Sequence, residues 1–278
     1  MSKIVVTGAS GYIGRHVCKA LHARGHEVFA VDLVNKGLPD WCEFHALNIL
    51  ADPGALERLP VPDVCVHLAW QDGFQHNAAS HLLNLNAHLQ FCKAILDLGC
   101  KQLAVMGTMH ECGYHEGAID ENTPCNPLSL YGIAKNALRQ ALIVECRNRK
   151  VCLQWLRGYY IYGDDTFNHS IFTKILEAAN SGRDRFPFIS GKNKYDFVQV
   201  DELANMIAAA VSQTEISGII NCCSGIPRSL GEVVEKFIEL HHLPIKLEYG
   251  AFPDRPYDSP AVWGDATKIT DIMRRVGK

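Results

Sequence analysis

The sequence predicts an α/β fold, a doubly wound parallel sheet with helices on both faces and a smaller C-terminal lobe. Three observations carry this. Short apolar runs, Ile4–Val6, Glu27–Val31, Val64–Leu68, Gln102–Val105 and Val151–Leu156, read as strands. The segments between them are long enough for crossover helices, an alternation that implies a parallel sheet covered on both faces. From about residue 164 the rhythm changes: Ser170–Ser181, Asp201–Ser212 and Ser229–His241 read as helices, and Pro, Gly and Asp crowd 250–260. We therefore expect a first domain over 1–163 and a lobe drawn mainly from 164–278, with some later segments returning to the first sheet.

Composition narrows the function classes. The chain has 278 residues, 47% hydrophobic and 21% charged, close to the globular average and far from the signature of disorder. Lys and Arg number 27 against 30 Asp and Glu, a net charge of −3 with no basic run, so no nucleic-acid partner is expected. An anionic ligand would need local dipoles or a few placed cations. Eleven cysteines lack a CxxC pair, which points away from a zinc ribbon or redox dithiol and toward a reducing compartment. His241-His242 and the His110, Cys112, His115 group match no tetrahedral spacing, and no metal is expected. The N-terminus lacks the cleavage region of a signal peptide, and the longest apolar candidate, Leu203–Val211, contains Asn205 and is too short for a membrane span. A cytoplasmic protein without membrane contact is the expectation.

The first chemical signal is Gly8-Ala9-Ser10-Gly11-Tyr12-Ile13-Gly14, directly after the first strand and opening a helix through Val17 and Leu21. Glycines there permit a tight turn, let backbone N–H groups approach a pyrophosphate, and bring helix and strand close together. Asp32 follows at the end of the second strand, where a carboxylate accepts hydrogen bonds from adenosine ribose hydroxyls and repels a 2′-phosphate. The pair points to NAD rather than NADP, although an ordinary βα turn with a loop-starting Asp has the same residues. The second signal is Tyr131-Gly132-Ile133-Ala134-Lys135. With Asn126 as cap and Pro127 in the first turn, a helix would place Tyr131 and Lys135 one turn apart on one face. An ammonium there would lower the phenol's pKa and fit Tyr131 for proton transfer, while a surface pair would show the same spacing.

Taken together the motifs resemble the extended short-chain dehydrogenases/reductases, in the branch acting on nucleotide-activated sugars. The resemblance spans nearly the whole chain: the Gly8/Gly11/Gly14 turn with Asp32, Asn48-Ile49, Val66-His67-Leu68-Ala69, Asn86, Gly107-Thr108, Tyr131-x-x-x-Lys135, Arg157 with Tyr162-Gly163, Asp196-Phe197-Val198, and Asn221-x-x-Ser224-Gly225. It implies a Rossmann domain with NAD as cofactor. It also implies that Asn48 and Ile49 lie against the adenine, that Leu68, Ala69 and Trp70 line the cofactor channel, and that Lys135 holds the nicotinamide ribose. Thr108 matches the family's Ser/Thr that hydrogen-bonds the reacting oxygen. Relatives pair as homodimers through the helices expected at Ser80–Leu98 and Pro127–Arg147.

Departures from the family pattern shape the functional expectation. Met109 and His110 stand where sugar 4,6-dehydratases carry Asp and Glu, which argues against elimination of water. Tyr160 replaces an Asn that usually meets substrate, and Tyr195 replaces an Arg that commonly meets the diphosphate. Arg255 matches the other diphosphate-binding Arg, and its planar fork suits the role. His110 and Glu111 are ambiguous between acid/base work and packing. The leading expectation is a nucleotide-sugar epimerase that oxidises a ring hydroxyl to a ketone with bound NAD and re-reduces it. A 4-keto sugar-nucleotide reductase is the alternative, and a non-catalytic NAD-sensing regulator is the reading from another class.

Overall fold

In the computed structural model the chain is described over residues 1–163, 170–254 and 258–276. Its strands are β1 Lys3–Thr7, β2 Glu27–Asp32, β3 Glu43–Ala46, β4 Val64–His67, β5 Gln102–Thr108, β6 Gly117–Ile119, β7 Cys152–Gly158, β8 Tyr160–Tyr162, β9 Arg185–Pro187, β10 Lys194–Gln199, β11 Gly218–Cys222, β12 Pro227–Ser229, β13 Lys246–Glu248 and β14 Ala261–Gly264. The helices are α1 Tyr12–Ala23, α2 Ser80–Leu83, α3 Leu85–Asp97, α4 Leu130–Arg149, α5 Ile171–Asn180, α6 Val200–Val211, α7 Leu230–Leu240 and α8 Thr267–Val276. Seven strands form the main sheet in the order β11-β7-β5-β4-β1-β2-β3, every neighbouring pair parallel. The expected Rossmann sheet is present.

Alternate residues of each strand serve opposite faces, and both faces are covered. Ile4 and Val6 of β1 join Val17 and Leu21 of α1 and Leu203 and Ile207 of α6 in one core. Val5 joins Phe91 and Ile95 of α3 and Leu138 and Leu142 of α4 in the other. A third core, with Phe172, Ile175, Phe197, Val234 and Phe237, fills the smaller lobe around β10. Late segments contribute to both lobes: β11 forms the outer edge of the main sheet, and α6 packs against α1 and α8. Asp196 of β10 ties the lobe together, accepting from Ser224 N–H and O–H, Gly225 N–H and Gly264 N–H.

Two local expectations are corrected. The helix carrying Tyr131 starts at Leu130, with the Ser129 hydroxyl accepting from Gly132 N–H at 3.2 Å, so Asn126 and Pro127 lie before it. Any of these residue types can begin a helix; Ser129 takes the role because its extended backbone aims the hydroxyl at the free N–H groups. The single helix expected over Ser80–Leu98 is divided at Asn84, which closes α2 and opens α3.

Sheet order also locates a cleft. Chain order runs outward from β1 through β2 and β3 on one side and through β4, β5 and β7 on the other. The crevice opens where the order reverses, at the carboxyl ends of β1 and β4. The Gly-rich turn, Asp32 and Leu68 all lie at that edge.

Candidate active site

A cleft of about 2090 Å³ runs from this crevice to the smaller lobe. At its first end the turn after β1 requires glycine. Gly8 has φ of +68°, and a Cβ there would meet Ala69 N at 2.7 Å; a Cβ on Gly14 would meet Gly8 O at 2.1 Å. Gly8 can therefore pack against the segment after β4, and α1 can start close to the turn after β1, only without side chains at these positions. The Asp32 carboxylate accepts from Ser10 N–H at 2.9 Å and Leu33 N–H at 2.7 Å, and it lines the cleft beside the turn. Gly8, Gly11, Tyr12, Ile13 and Gly14 line the same end. Asn48 and Ile49 lie across from them, and Leu68, Ala69 and Trp70 lead onward. The bare backbone cradle at a helix N-terminus, an adjacent carboxylate and an apolar channel fit a dinucleotide.

Further along, the sequence-predicted residues converge. Thr108 ends β5, Tyr131 and Lys135 come from the first turns of α4, and all three line the cleft. The Thr108 hydroxyl hydrogen-bonds Tyr131, which lowers the phenol's pKa, but burial dominates and pushes it up to about 12. Lys135 is pushed down to about 7 by burial, with Glu111 acting in the opposite direction. Its Nζ donates to Met106 C=O at 2.7 Å and sits 3.7 Å from the centroid of the Trp70 ring. The same Nζ is 6.0 Å from the Tyr131 ring centroid. The expected direct depression of the phenol by the ammonium is thus corrected for the cofactor-free protein, because the cation is engaged by a carbonyl and an indole face instead.

Apart from His110 and His67, sequence reasoning missed a ring of histidines around this pair. His76 stacks on Tyr131 with centroids 5.4 Å apart, and His110 meets His76 edge-on at 4.4 Å. The Trp70 indole N–H donates to His81 at 3.1 Å, and its ring stacks on His88 at 4.3 Å. His88 in turn hydrogen-bonds buried His67, which bonds the Thr7 hydroxyl. For His76, His81 and His88 the only signal in the sequence was the count of 13 histidines, which says nothing of their convergence. Burial pushes His110 down to about 4 and His88 down to about 3, with neighbouring His76 and Lys135 respectively adding to it. Both stay neutral in the fold at pH values where the unfolded chain binds protons. Stability of the cofactor-free protein should therefore fall as pH drops from about 6.5 toward 4, by up to ~1.4 kcal/mol per pH unit for each such histidine. Urea unfolding at pH 6.5 and 4.5 checks this, and a His110→Gln variant should show the shallower decline.

Glu111 is settled as a buried brace. It closes the short helical turn after β5, fully buried, accepting from Thr108 N–H at 2.7 Å and the Trp155 indole N–H at 2.8 Å through one oxygen. The other oxygen faces Arg139 at 3.2 Å and Arg157 at 3.5 Å. The carboxylate lies behind Thr108 and fixes its backbone. Met109 is largely buried but lines the cleft with His110, so the two positions that define a dehydratase offer it a thioether and an imidazole and no carboxylate.

On the lobe side Tyr160 lines the cleft and stacks on Tyr195 with centroids 4.2 Å apart. Phe186, Phe188 and Phe197 extend the aromatic wall, and Lys174 is the cation there among the described residues. Arg255 lies outside the described residues.

The geometry is that of a dinucleotide cleft ending at a Thr/Tyr/Lys group. Residues 4–223 match the NAD dependent epimerase/dehydratase family. The chain belongs to that family. It is an enzyme of the extended short-chain dehydrogenase/reductase type, and NAD is its cofactor. A dTDP-6-deoxy-L-talose 4-dehydrogenase (NAD(+)) of Aggregatibacter actinomycetemcomitans is 46% identical over 94% of this chain and 98% of its own. Two solved structures share the fold. A UDP-glucose 4-epimerase of Thermotoga maritima with UDP-glucose has a TM-score of 0.81 at 23% identity, covering 97% of this chain and 91% of that one. A UDP-glucuronic acid 4-epimerase of Bacillus cereus with UDP-glucuronic acid and NAD has 0.76 at 22%, covering 98% and 93%. Among the described residues no helix is long and apolar enough to cross a membrane.

Proposed function

We propose that this protein is an NAD-dependent 4-dehydrogenase of a nucleoside-diphosphate 6-deoxyhexose, interconverting the C4 hydroxyl and the 4-ketone. The observation that carries this is the 46% identity, over nearly the full length of both chains, to a dehydrogenase of a dTDP-linked 6-deoxyhexose. The cleft supports it: the Thr108/Tyr131/Lys135 group suits alcohol–ketone exchange, and the aromatic wall of Phe186 and Phe188 offers apolar surface to a sugar methyl.

In this reading the Gly8–Gly14 turn binds the pyrophosphate and Asp32 the adenosine ribose. Asn48 and Ile49 flank the adenine, Leu68, Ala69 and Trp70 wall the channel, and Lys135 holds the nicotinamide ribose. NAD supplies the nicotinamide carbon that accepts or returns hydride. Tyr131 takes the proton from the C4 hydroxyl in oxidation and gives it back in reduction, while Thr108 hydrogen-bonds the same oxygen. Glu111 holds the Thr108 backbone, so the hydroxyl keeps its aim. His110 and Tyr160 contact the sugar. Tyr195, only 4% exposed and stacked on Tyr160, offers no cation to the diphosphate, which leaves Lys174 and Arg255 to meet it.

A 4-epimerase, the reading that the sequence puts first, would use the same groups, so the cofactor separates the two. The test is to denature freshly purified protein, quantify released nicotinamide nucleotide, and assay a dTDP-6-deoxyhexose with added NAD. Stoichiometric NADH formation from an initially empty site supports the dehydrogenase. Near-stoichiometric NAD retained through purification, with redox-neutral interconversion of C4 epimers, would replace it with the epimerase.

Asp32 makes a separate prediction. A carboxylate about 4 Å from a 2′-phosphate is repelled by about 1–4 kcal/mol at effective dielectrics between water and a protein surface. Asp32→Ala should raise the NADP-to-NAD ratio of kcat/KM by about 5- to 10³-fold. An unchanged ratio would remove Asp32 from the ribose site.

Homodimerisation through α3 and α4 and a cytoplasmic location belong to the same proposal. Leu83 at the end of α2 and Val144 of α4, 79% and 54% exposed, supply apolar surface for pairing. All eleven cysteines are free, in keeping with a reducing compartment. Light scattering should give twice the chain mass, and a monomer would refute the pairing.

A further inference from the structure

The buried brace behind Thr108 is not balanced in charge. Arg139, Arg157 and Glu111 have side chains 7%, 0% and 0% exposed, so two guanidiniums face one carboxylate. A buried cation without a counter-charge is costly. Among the described residues neither arginine meets a second carboxylate. Arg139 donates to Asn136 Oδ1 at 2.7 Å and to Cys125 Sγ at 3.3 Å; Arg157 donates to Asp120 C=O at 3.1 Å and to the same sulfur at 3.9 Å. Besides Glu111, the group that both guanidiniums share is the Cys125 sulfur. That sulfur is half-buried, the buried Cys112 thiol lies beside it, and the Thr123 carbonyl oxygen is 3.9 Å away. Asn126 N–H donates to Cys112 C=O at 3.3 Å, which holds the two cysteine-bearing segments side by side.

We propose that Cys125 is a thiolate, serving as counter-ion to Arg139 and Arg157, and that it is a modification site for hydroperoxides and soft electrophiles with Cys112 as its resolving thiol. The neighbouring Cys112 thiol favours the anion most, burial opposes it, the two arginines add to it and the Glu111 carboxylate opposes it, leaving Cys125 lowered to about 6. The thiolate is the nucleophilic form of cysteine. It attacks the hydroxyl oxygen of a hydroperoxide; the S–O bond forms, the O–O bond breaks, and the other oxygen leaves as hydroxide or alkoxide, which takes a proton from solvent. Sulfur is oxidised by two electrons as the peroxide is reduced, giving a sulfenic acid that keeps the hydroperoxide's O–H. The Cys112 sulfur then displaces that oxygen, forming the S–S bond, and the hydroxyl departs with the Cys112 proton as water. The protein contains its own comparison: Cys18 and Cys42 also lie beside each other, but both are buried and no described guanidinium donates to either sulfur.

The test uses the intact folded protein. Substoichiometric iodoacetamide is applied from pH 5 to 9 and the adducts are mapped by peptide mass spectrometry. Cys125 should be alkylated first, with a half-maximal rate near pH 6. After hydrogen peroxide and blocking with N-ethylmaleimide, a non-reducing digest should contain a Cys112–Cys125 bridge that dithiothreitol removes. In a Cys112→Ser variant peroxide should carry Cys125 on to the irreversible sulfinic acid; should that variant fold poorly, the wild-type mapping still decides. Alkylation of half-buried Cys152 ahead of Cys125, reaction of Cys125 only above pH 8, or bridging of Cys18 and Cys42 in preference would each overturn the proposal.

Discussion

Replacing Tyr131 by Phe should lower kcat by about 10²- to 10⁴-fold, the usual contribution of a placed general acid or base, while NAD binding persists. The ring and its stacking on His76 remain, and only the phenol oxygen that moves the proton is lost. NADH formation from the sugar nucleotide, with bound cofactor measured separately, checks this. A loss under about tenfold would mean that another group carries the proton. The direction of the pKa shift adds a pH signature. With Tyr131 pushed up to about 12, the phenol is protonated at neutral pH, so ketone reduction finds its acid in place. Alcohol oxidation needs the phenolate, and its rate should rise with pH from 7 to 10 while the reduction rate stays flatter. Parallel profiles in both directions would count against Tyr131 as the titrating group.

Glu111→Ala should be the most destabilising single change in the cleft region, at about 3–5 kcal/mol, because it leaves two buried guanidiniums without their carboxylate. It also strips acceptors from Thr108 N–H and the Trp155 indole, each of which then stays unsatisfied. Denaturant unfolding of the cofactor-free protein measures the effect. Glu111→Gln, which keeps the shape and one acceptor oxygen, should recover part of the loss. A change below about 1 kcal/mol for the alanine variant would show that the brace contributes little and that solvent reaches the arginines.

Much of this molecule is readable along the chain because its chemistry is local. Gly8 and Gly14 are dictated by backbone that a Cβ at either position would meet at under 3 Å, and Tyr131 and Lys135 share a face because a helix returns every 3.6 residues. Apolar runs separated by helix-length segments are enough to determine a parallel sheet covered on both sides, since such strands have no other way to bury their residues. Other features depend on which distant segments meet. The cap of α4 passed to Ser129 because several nearby residues have the chemistry and only backbone direction chooses among them. Lys135 turned to Met106 and Trp70, not to the phenol, because a buried ammonium goes to whatever acceptors the neighbouring strands present. Glu111 looked like a spare acid beside Thr108 until Arg139 from α4 and Arg157 from β7 closed over it, 28 and 46 positions later in the chain. The sequence by itself determined the sheet and the glycine turn that opens the cleft, and it placed Tyr131 and Lys135 on one helix face, because apolar runs and short spacings along the chain carry these. Only tertiary structure decided the charge balance behind them, because burial and ion pairing are properties of the assembled fold.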